Sequence, residues 1–131
     1  MILLDTHVIL WVILKPERLS RAATRALRRA ERGDGIAISS ITLWEIAQLI
    51  DAGRIKVNGS TEAFLESLCR RPGVTILEIT PEIAALAFRF PPGFTQDPAD
   101  RLIGATARSH GLQLITRDGH MHDCPLLETV W

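Results

Sequence analysis

The sequence has little cysteine, no excess charge of either sign and no long apolar run. Its two cysteines, Cys69 and Cys124, are far apart and form no CxxC or Cys/His metal pattern, which suits a reducing compartment. The 15 Lys and Arg residues balance the 15 Asp and Glu residues, so this is not the strongly basic domain typical of nucleic-acid binding. No apolar run approaches the roughly 20 residues of a membrane span.

The N terminus lacks the features of a signal peptide. It has no positively charged segment and no cleavage site of small residues, and Asp5 and His7 interrupt its apolar stretch. We therefore expect a cytoplasmic protein with no membrane partner. Lysine is also scarce: apart from Lys15 and Lys56, all basic residues are arginines. Arginine binds phosphate and carboxylate through paired donors, so this bias favours an anionic partner.

The 131 residues, of which 47% are hydrophobic and 23% charged, are typical of one globular domain over residues 1–131. Short apolar runs predict strands at residues 1–4, 36–39, 74–79 and 112–116, with a further short strand within 126–131. Helical spacing or helix-capping signals predict helices over residues 6–14, 19–32, 43–52, 61–70, 81–90 and 98–110. Helices alternating with apolar strands predict an α/β fold, a parallel sheet of about four to five strands sandwiched by helices.

Acidic residues stand where several of these predicted elements meet. Asp5 follows the first strand, and Asp118 follows the strand LQLIT. Glu45 lies early in the helix after the second strand, while Asp97 and Asp100 begin the helix in QDPADRLIGATA. Ligands of open parallel sheets bind outside the carboxyl ends of the strands, so we expect these acids to converge there.

A cluster of carboxylates predicts a divalent cation. Like charges in a cleft repel and raise each other's pKa, and a bound metal ion removes that conflict. Hard oxygen ligands without histidine or cysteine favour Mg²⁺ or Mn²⁺ over zinc. Such ions activate a water to hydrolyse a phosphodiester, which is the chemistry of a metal-dependent nuclease.

Each acid also has a purely structural interpretation. Asp5 and Asp97 stand at N-cap positions, and Asp100 gains from the helix dipole. The sequence Thr42-Leu-Trp-Glu45 fits a capping box, and Asp118 can start a turn into Gly119. Taken singly, these interpretations are favoured; taken together, a shared metal explains the acids at several strand and helix ends more economically.

Four segments in this order resemble the PIN domain, and in particular the VapC-type toxins of type II toxin–antitoxin systems. They are ILLDTHVILW, ISSITLWEIA, DPADRLIGATA and LQLITRD, and the resemblance runs through essentially the whole chain. It implies an α/β sandwich whose acidic pocket binds Mg²⁺ or Mn²⁺ and cleaves RNA. It also implies a homodimer and an antitoxin partner whose tail blocks the pocket.

By this resemblance Asp5, Glu45, Asp100 and Asp118 occupy the four acidic positions of the family, as metal ligands and catalytic residues. Asp97 is the additional acid of the DPxDR form, expected to cap the helix or to support the metal ligands from behind. Two hydroxyl residues beside the acids, Thr6 and Thr116, are expected to hold a water or a carboxylate.

The arginines offer candidate contacts to RNA. Arg21, Arg25 and Arg28 recur at helical spacing and predict either a solvated helix face or a surface that tracks phosphates. Arg101 and Arg117 flank acids, so each predicts either a local ion pair or a contact with the scissile phosphate.

Three further ring residues have structural interpretations. His7 lies in an apolar helix and is expected to be a hydrogen-bonded core residue. Trp11 and Trp44 are expected in the core or at an interface.

The sequence therefore favours a Mg²⁺- or Mn²⁺-dependent endoribonuclease acting as a toxin on an RNA substrate. A PIN-type nuclease for RNA processing or DNA cleavage, outside any toxin pair, remains an alternative. A magnesium-binding signalling module also gathers aspartates at strand ends, but it needs a lysine after a late strand, and Lys15 and Lys56 are misplaced for that role. An RNA-binding module without hydrolytic activity is disfavoured because the acidic set is complete.

Overall fold

Five short strands form one parallel sheet at the centre of the molecule. The structure is a computed structural model that describes all residues, 1–131. The strands lie in the order β3-β2-β1-β4-β5 and all pairs are parallel. Their bounds are β1 Ile2–Leu4, β2 Ile36–Ser39, β3 Val74–Leu77, β4 Leu114–Ile115 and β5 Thr129–Val130. The predicted fold class, a short parallel sheet between helices, is confirmed.

Seven helices surround the sheet. They are α1 Thr6–Leu14, α2 Arg21–Arg32, α3 Ser40–Asp51, α4 Thr61–Cys69, α5 Pro81–Leu86, α6 Pro98–His110 and α7 Gly119–His122. A 3-10 turn at Pro16–Arg18 joins α1 to α2. None of these helices is long and apolar enough to cross a membrane.

The core has two main parts, one on each face of the sheet, and a third small cluster lies between α5 and α6. Ile2 and Leu4 point to the face covered by α1 to α4, whereas Leu3 between them points to the opposite face, where α6 and α7 pack. All three side chains are buried. Because both faces are covered, β1 reads as a continuous apolar run.

Some elements differ from their predicted bounds. The predicted strand 74–79 ends at Leu77, and β4 keeps only two residues of the run 112–116. The helix predicted over 81–90 ends at Leu86. Phe90 precedes a proline, which disfavours the helical conformation, and its ring stacks on Phe94 at 4.0 Å instead. The short helix α7 was not predicted.

The carboxyl edge of the sheet collects the starts of several helices. Asp5 directly follows β1, and its backbone N–H donates to Ile115 O at 3.0 Å and so extends the pairing with β4. α1 begins directly after Asp5, and α3 begins directly after β2. This edge therefore receives side chains from separate parts of the chain, as the sequence predicts.

Candidate metal centre at the carboxyl edge of the sheet

Asp5 is buried and held by both of its oxygens. Only 5% of the residue is exposed. Its Oδ1 accepts a hydrogen bond from the Thr6 N–H at 2.7 Å, and its Oδ2 accepts one from Thr116 Oγ1 at 2.7 Å. The burial raises the pKa of the Asp5 carboxyl, which these two hydrogen bonds partly oppose. The side chain is thus a fixed, desolvated acid that also caps α1.

Glu45 approaches Asp5 from α3. Its Oε1 accepts a hydrogen bond from Thr6 Oγ1 at 2.5 Å, so Thr6 lies between the two acids and contacts both. Burial, with a smaller effect of the Asp5 charge, raises the pKa of Glu45. The predicted capping box is wrong: the N-cap of α3 is Ser39, and Glu45 faces the pocket.

Asp97 and Asp100 come from the start of α6. One carboxylate oxygen each of Glu45, Asp97 and Asp100 lie within 4.8 Å of one another, a spacing that one metal ion can bridge. Thr95 links the two aspartates, because its Oγ1 donates to Asp100 Oδ2 at 3.4 Å and accepts from the Asp97 N–H at 3.1 Å.

Asp97 corrects one expectation. It stands at the N-cap position of α6, but its side chain makes no cap hydrogen bond. The exposed carboxylate is turned to Glu45 and Asp100 instead. Asp97 therefore belongs with the candidate ligands rather than with the helix caps.

Asp118 follows β4 and is fixed by the neighbouring loop. Its Oδ1 accepts from the Met121 N–H at 3.1 Å and so caps α7, while its own N–H donates to Thr116 Oγ1 at 3.0 Å. The Thr116 hydroxyl, which also binds Asp5, thereby ties the two strand-end acids together. The turn expected after Asp118 is this short helix.

The electrostatics of the acidic cluster favour a bound cation. Burial, and then the charges of Asp5, Asp97, Asp118 and Glu45, raise the pKa of Asp100 to about 8. The two ion pairs of the molecule lie elsewhere, between the Met1 amino group and Asp34 and between Arg70 and Glu66. Carboxylate oxygens without histidine or cysteine among them fit Mg²⁺ or Mn²⁺, so the residues present suit such an ion.

Comparison with known proteins identifies the family. The family model described as the PIN domain matches residues 2–125. This chain belongs to the PIN-domain family. The resemblance to VapC is also confirmed, because ribonuclease VapC22 of Mycobacterium tuberculosis is 40% identical over 134 residues, covering 99% of this chain and 98% of that protein.

Solved structures share the fold of this PIN domain over nearly its whole length. VapBC2 from Rickettsia felis, bound to a DNA fragment from its promoter, aligns with a TM-score of 0.73 at 20% identity, covering 99% of this chain and 98% of that one. FitAcB from Neisseria gonorrhoeae aligns with a TM-score of 0.67 at 26% identity, covering 100% and 97%.

Two basic candidates of this PIN domain have different surroundings. Arg101 makes no ion pair; its Nε donates to Thr95 O at 2.8 Å and its Nη1 to Ala87 O at 3.0 Å. Arg101 therefore holds the loop that carries Thr95 and Asp97, and its contact with a phosphate stays a prediction. Arg117 is exposed between Thr116 and Asp118.

The remaining basic candidates, Arg21, Arg25 and Arg28, are exposed on α2. Their contact with RNA stays a prediction.

The exposure of two ring residues differs from expectation: His7 contradicts its expected burial, and Trp44 contradicts the core alternative, while its place at an interface stays a prediction. His7 is exposed, not a hydrogen-bonded core residue, and its charge lowers the pKa of both Asp5 and Glu45, so it borders the acidic pocket. Trp44 is 57% exposed and does not belong to the core. Trp11 is half-buried and packs against Trp131, with ring centroids 5.5 Å apart. Both helices that carry these residues are rich in leucine and isoleucine, so the sequence pattern does not show which face of each helix meets solvent.

One residue of the site was missed by sequence reasoning. Thr42 is fully buried on α3, and its Oγ1 lies 3.0 Å from Thr6 Oγ1. Its spacing of three residues before Glu45 places both side chains on one helix face, which is the signal that could have found it.

Proposed function

We propose that this PIN-domain protein is a metal-dependent endoribonuclease that acts as the toxin of a type II toxin–antitoxin pair. The observation that carries the proposal is a group of carboxylates, with Asp5 buried and Glu45, Asp100 and Asp118 half-buried, that forms no ion pair with a lysine or arginine. It occurs in a protein 40% identical to ribonuclease VapC22 over nearly the full length of both chains.

Four acids, Asp5, Glu45, Asp100 and Asp118, would hold Mg²⁺ or Mn²⁺, with Asp97 as a fifth oxygen donor. Such an ion, when bound, polarises a phosphodiester and lowers the pKa of a water for in-line attack. The resemblance to VapC supports all four as catalytic residues, and the short distances among Glu45, Asp97 and Asp100 support adding Asp97.

The surrounding hydroxyls keep these acids in place. Thr116 fixes Asp5 and the backbone of Asp118, while Thr6 fixes Glu45. Donors held in this way lose little conformational freedom when a ligand binds, which favours a precise geometry at the scissile phosphate. Thr6 and Thr116 thus serve as supports of the ligands.

RNA is the proposed substrate, with Arg21, Arg25, Arg28, Arg101 and Arg117 as candidate phosphate contacts. An antitoxin is the proposed protein partner, because structures of the same fold include VapBC2 and a toxin–antitoxin complex from Klebsiella pneumoniae. A homodimer and a cytoplasmic location complete the proposal by the resemblance to VapC.

The test compares wild type with Asp5→Asn. Purified wild-type protein should cleave RNA when Mn²⁺ or Mg²⁺ is present and should stop when EDTA is added. The Asp5→Asn variant should be inactive while it keeps its circular dichroism spectrum. Full activity of the wild type in EDTA would contradict the metal mechanism.

A cellular experiment tests the toxin role separately. Induction of the wild type should arrest growth and create new RNA 5′ ends, and induction of Asp5→Asn should do neither. New RNA ends without growth arrest would instead indicate a PIN nuclease outside a toxin–antitoxin pair.

A further inference from the structure

A chain of hydroxyl groups leads from the interior of the protein to Glu45. Thr42 Oγ1 lies 3.0 Å from Thr6 Oγ1, and Thr6 Oγ1 donates to Glu45 Oε1 at 2.5 Å. Both threonines are buried, with Thr42 0% and Thr6 1% exposed. Neither hydroxyl can therefore exchange its partner for bulk water.

The direction of donation follows from the number of protons. A threonine hydroxyl has one proton to donate and two lone pairs to accept. Since the proton of Thr6 goes to the Glu45 carboxylate, the contact between the two threonines requires Thr42 to be the donor. By donating to a lone pair of the Thr6 oxygen, Thr42 fixes the orientation of the Thr6 hydroxyl. The proton of Thr6 then points at Glu45.

A second buried threonine shows that this arrangement is not forced by the helix. Thr106, also 0% exposed, donates from Oγ1 to Leu102 O at 2.7 Å, the ordinary hydrogen bond of a helical threonine to the carbonyl four residues earlier. Thr42 pairs instead across to α1, with the residue that supports the acid.

We propose that Thr42 is a positioning residue for metal binding, whose hydroxyl orients Thr6 and through it the carboxylate of Glu45. The proposal rests on the proposed function, because it assigns Glu45 to the metal. Partners behind metal ligands fix the orientation of those ligands and raise affinity for the ion. Thr42 acts on Glu45 through one intermediate hydroxyl, so we expect its effect at the lower end of the range known for such partners.

The experiment measures Mn²⁺ affinity by calorimetric titration of the full-length protein. Thr42→Val replaces the hydroxyl by a methyl group of similar size and should weaken Mn²⁺ binding about tenfold. Thr42→Ser keeps the hydroxyl and should restore most of the affinity. Thr106→Val makes the same exchange at a buried site outside the cluster and should leave the affinity within about twofold of wild type, below the range expected for partners of the ligands.

A double-mutant cycle asks whether Thr42 acts through Glu45. In a Glu45→Gln background, Thr42→Val should no longer change Mn²⁺ affinity, because the carboxylate that it orients is gone. An equal loss in both backgrounds would overturn the proposal, since it would indicate a general effect on the fold. Unchanged affinity of Thr42→Val in the wild-type background would also overturn it.

The wild-type titration separates this proposal from the proposed function. Absence of Mn²⁺ binding by the wild type would contradict the metal centre itself, and the role of Thr42 with it. Tight binding by the wild type together with unchanged binding by Thr42→Val would contradict only the role of Thr42. Poor folding of Thr42→Val would show in its thermal midpoint. The Mn²⁺ affinity of Thr42→Ser would then be compared with that of the wild type. A loss of affinity in Thr42→Ser would overturn the proposal.

Discussion

The acidic side chains at the two edges of the sheet differ in their exposure and in their ion pairs. At the amino edge, the side chain of Asp34 is 89% exposed and lies 3.6 Å from the Met1 amino group. At the carboxyl edge, Asp5 is 5% exposed, and none of its acidic neighbours forms an ion pair with a lysine or arginine. An exposed pair contributes little to stability, whereas buried like charges are costly unless a cation joins them. The acids that are buried or half-buried and have no ion pair thus lie at the carboxyl edge.

The helix starts explain why the carboxyl edge tolerates these charges. Asp5 accepts from the backbone at the start of α1, and Asp118 does so at the start of α7. Asp100 lies in the first turn of α6, near the positive end of the helix dipole. These contacts stabilise individual carboxylates but leave the repulsion among them, since burial and the neighbouring acids still raise the pKa of Asp100 to about 8.

The same substitution at the two edges gives the largest expected contrast. Asp100→Asn should lower metal-dependent RNA cleavage by more than about 100-fold, beyond the loss typical for partners behind a metal ligand. Asp34→Asn should leave cleavage unchanged and alter the free energy of unfolding by less than about 0.5 kcal/mol, as for other surface pairs. Cleavage rates under single-turnover conditions and urea unfolding measure the two effects. Equal cleavage rates for the two variants would show that the acids at the two edges do not differ in function.

Asp97 allows a finer test, because it lies at the carboxyl edge but is exposed. Asp97→Asn should weaken Mn²⁺ binding at least about tenfold, since even residues behind a ligand typically have this effect. It should reduce the free energy of unfolding by less than the roughly 1 kcal/mol of a lost helix cap, because no cap hydrogen bond is present. Calorimetric titration and urea unfolding provide the two values. A destabilised variant with unchanged affinity would restore the cap interpretation.

The pH dependence of stability gives a smaller but independent signal. The pKa of Asp100 is about 8 in the folded protein and near 3.8 in the unfolded chain, so between about pH 4 and 8 the folded state binds more protons. The free energy of unfolding of the metal-free protein should therefore fall as the pH rises through this window. The raised pKa values of Asp5 and Glu45 act in the same direction.

Urea unfolding in EDTA across this pH range measures the trend, with Asp100→Asn as the reference that lacks the titrating group. The decline should be shallower in Asp100→Asn than in wild type. It should disappear in wild type at saturating Mn²⁺, because the cation binds the ionised carboxylates and competes with protons. Identical slopes for the two proteins in EDTA would show that Asp100 does not have a raised pKa.

Sequence reasoning located the carboxyl edge because the relevant signals are local. Apolar runs that end in Asp5 and Asp118 predict strand ends, and Asp97-Pro98 predicts the start of α6. These positions needed only the order of residues and the general geometry of parallel sheets.

Contacts between distant residues could not be predicted in this way. Thr116 binds Asp5 across 111 positions of the chain, and Thr6 binds Glu45 across 39. The missing cap bond of Asp97 and the two carbonyl partners of Arg101 likewise depend on how the loop after α5 packs against α6. The exposure of His7 was missed because its neighbours on α1 are almost all apolar.

Anomalous diffraction from crystals soaked in Mn²⁺ tests the central claim most directly, because it locates the ion without reference to activity. We expect the strongest peak at the carboxyl edge, within coordination distance of oxygens of Asp100 and at least two of Asp5, Glu45, Asp97 and Asp118. The peak should be absent from crystals of Asp100→Asn. A strongest peak elsewhere, with none among these carboxylates, would contradict the account.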